Sequence, residues 1–163
     1  MPDLLVKLYE LPPLEPFLEK ARQNGIEIRR ALVPEKHVVC DWVEAHFGRG
    51  WKSEAEVAFA RLPVSIFIAV KDEACVGFCC YDATLRGFYG PVGVDKDLRK
   101  SGIGAALSMA TFHAMRSAGY GYAVIGGAGP VDFYARICGA TVIPDSWPGV
   151  YRGLLRTPST KGN

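Results

Sequence analysis

The chain has 163 residues, 49% of them hydrophobic and 22% charged, with a formal net charge of +2. That length and composition predict one compact domain over residues 1–163 with a real core, and exclude a disordered chain. No Lys/Arg block stands out, no apolar run reaches membrane-spanning length and the N-terminus lacks a basic-then-apolar leader, so we expect no nucleic-acid partner, no membrane partner and a soluble, cytoplasmic protein.

Residues 4–8 are a short apolar run stopped by Pro12-Pro13, a first strand or extended arm. Residues 14–23 carry Leu14, Phe17, Leu18 and Ala21 at helical spacing, and Asn24-Gly25 ends that helix. Residues 26–32 alternate and meet Pro34, which predicts a strand. Residues 37–47 place Val38, Val39, Trp42, Val43, His46 and Phe47 along one helical face, stopped by Gly48. Residues 53–61 predict a helix with Ser53 as its cap and Glu54 and Glu56 in its first turn. Residues 65–70 and 74–81 read as a hairpin through a polar turn at 71–73, apolar enough to be buried on both faces.

Residues 87–94 form the next strand, in which Pro91 removes one ladder donor and predicts a bulge or a missing partner. A helix over 103–118 carries a single formal charge, Arg116, and must be heavily buried. The strand over 122–125 must run parallel to 87–94, because a helix joins them in a right-handed crossover. Residues 126–130 are a glycine-rich loop, 131–138 a short helix begun by Pro130, and 140–143 a last apolar strand. Residues 144–151 are turn-rich, 150–155 offer an edge strand, and 157–163 read as a disordered tail. The five cysteines, Cys40, Cys75, Cys79, Cys80 and Cys138, have no zinc spacing and predict reduced core thiols and no metal site.

The chemistry-bearing stretch joins the strand over 87–94 to the long helix. Arg99-Lys100-Ser101-Gly102-Ile103-Gly104 is a basic, glycine-containing turn where free backbone N–H groups meet the positive end of a helix dipole. Such a turn is an anion site, most naturally for phosphate or pyrophosphate. It lacks the Gly-Lys-Ser/Thr ending of a Walker loop, and leucine stands where a dinucleotide fingerprint needs a third small residue. A plain helix capped by Ser101 is the remaining simple reading.

The turn matches Arg/Gln-x-x-Gly-x-Gly/Ala, and in this setting it resembles the pyrophosphate motif of the GNAT superfamily of acetyl-CoA-dependent N-acyltransferases. Three further features carry the resemblance: the hairpin containing Val76-Gly77-Phe78, the apolar helix after the turn, and Phe133-Tyr134 followed by Gly139-Ala140, one residue longer than the family's Tyr-x-x-x-Gly-Phe spacing. The likeness covers roughly residues 26–155, with 1–25 as an N-terminal extension. It implies the GNAT fold: an α/β, mostly antiparallel twisted mixed sheet with helices on both faces and a splayed parallel strand pair.

The resemblance implies acetyl-CoA as cosubstrate and a small-molecule or peptide amine as acceptor, attacked directly in a ternary complex. The main chain of Val92, Gly93 and Val94 would hold the pantetheine arm, and Arg99, Lys100, Ser101, Gly102, Ile103 and Gly104 the pyrophosphate. Tyr134 would protonate the leaving thiolate. The family's strand glutamate is missing between residues 87 and 94, so the base falls to Glu54 or Glu56, with Asp82, Asp145, His37 and His46 behind them. Trp42, Trp51 and Trp147 are assigned to packing before pocket walls. Homodimers are common in the family. The rival readings are a module that binds acyl-CoA without transfer and a nucleotide-binding regulatory domain.

Overall fold

The computed structural model describes residues 1–158. The hairpin of β3 (Ile66–Lys71) and β4 (Ala74–Tyr81) is its centre. Asp72 and Glu73 make the tight turn at φ 49° and 61°, the left-handed pair that matches strand twist. Alternation then sends β3 both ways. Ile66 and Ile68 join Val39, Val43, Ala55 and Phe59 in one core cluster, and Ala69 joins Leu107 and Phe112 in another. The first cluster belongs to α2 (Lys36–Phe47) and α3 (Arg49–Phe59), the second to α4 (Ile103–Ser117). Helices therefore cover both faces, as the apolar hairpin predicts.

The sheet adds β1 (Leu4–Lys7), β2 (Glu27–Arg30), β5 (Phe88–Val94), β6 (Tyr122–Ile125) and β7 (Thr141–Val142) in the order β2-β3-β4-β5-β6-β1-β7. Among the described residues every pairing is antiparallel except β5 with β6. That one parallel pair is joined through α4, as the crossover rule requires. Helix α4 buries nine of its residues, two of them hydroxyl-bearing. Ser108 Oγ donates to Gly104 O at 2.6 Å and Thr111 Oγ1 to Leu107 O at 2.8 Å, so neither hydroxyl is stranded in the core. No helix among the described residues is long and apolar enough to cross a membrane.

Two local expectations are corrected, and one open choice is decided. Of the two readings of residues 4–8 the strand holds: β1 lies between β6 and β7, and Leu4, Val6 and Leu8 are fully buried. Helix α1 (Glu15–Gln23) then runs back along α4, with His113 bonded to Pro12 O at one end and Lys20 against Gly102 at the other. Helix α3 begins at Arg49, because Gly48 at φ 90° turns the chain directly from α2 into it. Ser53 is therefore inside the helix, donating to Arg49 O, and is no cap. Residues 150–155 form no edge strand. Gly149–Tyr151 is a single 3-10 turn, Gly149 and Gly153 take left-handed φ of 54° and 74°, and Tyr151 folds inward over Gly126. Of the expected tail, Thr157 and Pro158 lie in no helix or strand, and residues 159–163 fall outside the described residues.

Candidate active site

The site grows from one interrupted strand pairing. β5 and β6 are in register only at Phe88↔Val124 and Tyr89↔Ile125. Beyond Tyr89, Gly90 takes φ 109° and Pro91 follows, and β5 continues with β4 alone: Val92 opposite Cys79, Gly93 opposite Phe78, Val94 opposite Gly77. Asp95 N donates to Val76 O on β4. Peptide groups alternate in direction along a strand, so those of Val92 and Val94 point away from β4, into the gap left by β6. Gly93 is a glycine for another reason: a Cβ there would come within 2.5 Å of the Phe47 ring, which covers that face of the strand.

Below the gap the chain reaches α4 through the expected turn. Lys100 takes a left-handed φ of 70° and Gly102 one of 88°. Gly102, and not Ser101, is the residue before the helix; no side chain caps it, and Ser101 Oγ donates to Leu98 O at 2.5 Å instead. The first helical bond is Ala106 N to Gly102 O, which leaves the N–H groups of Ile103, Gly104 and Ala105 without helical acceptors. A cleft of about 610 Å³ opens beside them, lined by Lys20, Lys100 and Arg136, with no carboxylate among the described residues, and by Phe17 and Phe133. The Arg136 guanidinium lies over the Phe133 ring at 5.9 Å. Free amides, three cations and aromatic faces fit a phosphorylated nucleotide, and the unpaired edge of Val92 and Val94 fits the extended arm of such a ligand. Arg99 is exposed at the start of the turn. Lys20, Phe133 and Arg136 were not singled out for this cleft from sequence; Lys20 comes from the N-terminal helix, and only docking brings it there.

Above the gap lies a second cleft, of about 370 Å³, bordered by Gly90 and Pro91 of β5 and by Gly126 and Gly127 after β6. Glu54 lines it and Glu56 does not; Glu56 is exposed on α3. Thr84 Oγ1 donates to Glu54 Oε1, and Oε2 has no hydrogen-bond partner among the described residues. Burial raises the Glu54 carboxyl above its ordinary value, and the Thr84 bond offsets part of that. Trp51 and Trp147 wall the same cleft, whereas Trp42 packs on His46. The other candidate bases are elsewhere. Asp82 is committed to Gly87 N and the Tyr120 hydroxyl, His46 to Trp42 O, and His37 and Asp145 are exposed.

Tyr134, in α5 (Val131–Cys138), is buried edge-on against Tyr89, the last residue of β5 before the gap, with ring centroids 5.8 Å apart. Tyr89 OH and Ser108 Oγ are 2.6 Å apart. The Tyr134 hydroxyl bonds no protein group among the described residues. Ser65 Oγ is the one fully sealed side-chain oxygen there without a partner, so Tyr134 OH keeps some access to solvent. Burial pushes Tyr134 up to about 12, offset in part by the neighbouring Tyr89 hydroxyl, which stands outside full hydrogen-bond geometry. Burial also pushes Cys79 up to about 12 and Cys75 and Cys138 up to about 11, which keeps these thiols protonated and unreactive.

The model of the acetyltransferase (GNAT) family matches residues 36–140. No curated protein matches the chain. Among solved structures, the chain is similar to a GCN5-related N-acetyltransferase from Sphaerobacter thermophilus, at 23% identity and TM-score 0.68, over 87% of this chain and 48% of that one. It is also similar to a glucosamine N-acetyltransferase region of a fungal multi-domain β-N-acetylglucosaminidase, at 14% identity and TM-score 0.72, over 87% of this chain and 19% of that one. A GNAT family acetyltransferase from Brucella melitensis, in complex with acetyl-CoA, matches at 22% identity and TM-score 0.52, over 68% of this chain and 80% of that one. The chain thus spans less than half the length of the first two.

Proposed function

The chain belongs to the GNAT acetyltransferase family, and from that premise we propose that it transfers the acetyl group of acetyl-CoA to an amine in a ternary complex. Acetyl-CoA would supply the acetyl thioester, whose C–S bond breaks as the N–C bond to the amine forms. The observation that carries the reading is the position of Glu54. A half-buried carboxylate with a free oxygen lines the cleft at one mouth of the β5–β6 gap, while the cationic phosphate turn opens beyond it.

Each residue has a distinct task. The amides of Ile103, Gly104 and Ala105 hold the pyrophosphate, with Lys20, Lys100 and Arg136 supplying charge around it. The peptide groups of Val92 and Val94 extend the sheet onto the pantetheine arm, and an N–H there polarises the reacting carbonyl. Glu54 takes the proton from the ammonium form of the acceptor; its raised basicity narrows the gap to an amine near pKa 10.4. The Tyr134 hydroxyl donates to the departing sulfur.

The experiment is acetyl-CoA turnover against a panel of amines, read as free thiol, for the wild type and Glu54→Gln. Thiol release that depends on both amine and Glu54 is expected. CoA binding with no turnover on any amine would leave a module that holds acyl-CoA without transfer.

A further inference from the structure

The cleft at Glu54 does not end at the β5–β6 gap. A second hollow, of about 570 Å³, adjoins it, and the two share Trp51, Glu54, Thr84, Tyr151 and Leu154. The outer hollow is walled by Val57, Leu85, Val150 and Leu154, large apolar side chains that are 40%, 45%, 50% and 70% exposed. Trp147, 55% exposed, stands on the inner side. Scattered exposed apolar residues need no explanation, but a contiguous group around a hollow marks a surface meant to be covered. No Lys, Arg, His or Asp side chain lines either hollow among the described residues, and Glu54 is the one carboxylate.

We propose that this continuous groove binds the acceptor, and that the acceptor is a monocationic primary amine carrying an apolar or aromatic body. The assignment deepens the acetyl-transfer reading and rests on it. One carboxylate in the groove matches one ammonium. Its neighbour at the gap, Gly90, has open space where a Cβ would stand, which leaves room for the nitrogen to approach the strand edge. Beyond Glu54 the walls offer Trp51, Val57, Leu85 and Leu154, which reward an apolar body and leave a second ammonium without a partner. An acceptor bearing its own carboxylate would meet Glu54 with no Lys or Arg side chain in the groove to balance it. Polyamines, amino sugars with several ammonium groups and α-amino acids are therefore poor acceptors.

A matched amine series tests this. The measurement is kcat/KM for propylamine, hexylamine, 2-phenylethylamine and tryptamine, against 1,6-diaminohexane and phenylalanine. Each added apolar group of methylene size is worth about 10- to 200-fold in a fitted pocket, so activity should climb steeply along the first four. 1,6-diaminohexane should fall about 10²-fold below hexylamine, and phenylalanine as far below 2-phenylethylamine. Leu85→Glu, at an exposed wall position where the fold is not at stake, should reverse the order of hexylamine and 1,6-diaminohexane. Equal use of 1,6-diaminohexane and hexylamine, or of phenylalanine and 2-phenylethylamine, overturns the acceptor class while leaving acetyl transfer standing. If no amine releases thiol, direct titration of the same amines decides. Selective binding of 2-phenylethylamine supports the groove, binding of none overturns it, and in both cases the transfer reading fails separately.

Discussion

Lys20 lies across Gly102. Its aliphatic stem passes 3.3 Å from where a Cβ on that glycine would stand, and Asn24 of the same segment donates to Ser101 O at 3.3 Å. The N-terminal helix is thereby fastened onto the turn that leads into α4, from outside the stretch that the family model matches. Lys20→Ala should weaken CoA binding about 2- to 5-fold, the worth of one exposed charge contact, and Lys20→Glu more. Titration of CoA at low and high salt checks it. The loss should shrink as salt rises, and a loss that ignores salt would mean the stem, and not the charge, is what matters.

The two glycines of the turn should respond differently. Gly102 holds a left-handed φ of 88°, so Gly102→Ala is strained by about 1–2 kcal/mol wherever its methyl goes. Gly104 has ordinary helical backbone, and a Cβ there would touch only Val94 Cγ2, at 3.8 Å. Gly104→Val should keep the melting temperature within a few degrees, because valine costs less than about 1 kcal/mol in a helix. It should weaken CoA binding by at least about 10-fold, because it places methyl groups beside the free amides. Melting curves with and without CoA read both quantities, and a fully retained shift for Gly104→Val would move the anion site elsewhere.

What sequence made legible follows from locality. Strand, basic turn and buried helix are adjacent in the chain, so Pro91, Gly102, Gly104 and the apolar run after them were readable together, and the alternation that aims Val92 and Val94 into the gap is a property of any strand. Three other features depended on phase or docking. Glu54 and Glu56 are two residues apart, about 200° around a helix, so only one can face the gap. Which one depends on how α3 docks, and its start at Arg49, set by the φ of Gly48, also moved both out of the first turn that Ser53 suggested. The strand β1 finds its partners at residues 122–125 and 141–142, too distant for any local pattern to announce. Lys20 and Tyr151 reach the clefts only through such long-range packing.

Glu54→Gln should separate activity from stability. A carboxyl raised by burial favours the neutral form in the folded state. Its stabilising contribution is fully present below the unfolded value of about 4.3 and is lost as pH rises through the raised folded value. Glutamine is neutral throughout and its amide oxygen can still accept from Thr84. The variant should therefore melt higher than wild type at pH 8, with the gap closing toward pH 4. Turnover should fall about 10²- to 10⁴-fold, and the acidic limb of the wild-type profile should disappear. A variant that melts lower at pH 8 would show the carboxylate to be a structural partner.

Tyr134→Phe tests the leaving-group side. Phenylalanine keeps the edge-on contact with Tyr89, and the lost hydroxyl has no protein hydrogen bond to forfeit, so stability and CoA affinity should stay within about 0.5 kcal/mol of wild type. The buried phenol, near 12, keeps its proton through the working pH range but gives it up reluctantly. Full transfer to a free thiolate, whose conjugate acid lies near about 8.5, would therefore be uphill. Its contribution is then a hydrogen bond to charge developing on sulfur, with solvent delivering the final proton. Turnover should drop by about 10²-fold, the low end for a positioned acid. The pH profile discriminates further: a tyrosine near its ordinary value of about 10 would give an alkaline limb there, whereas the wild type should show none attributable to Tyr134 up to pH 10. Unchanged turnover in Tyr134→Phe returns the residue to the core, and a loss of CoA affinity in step with turnover makes it a cosubstrate contact.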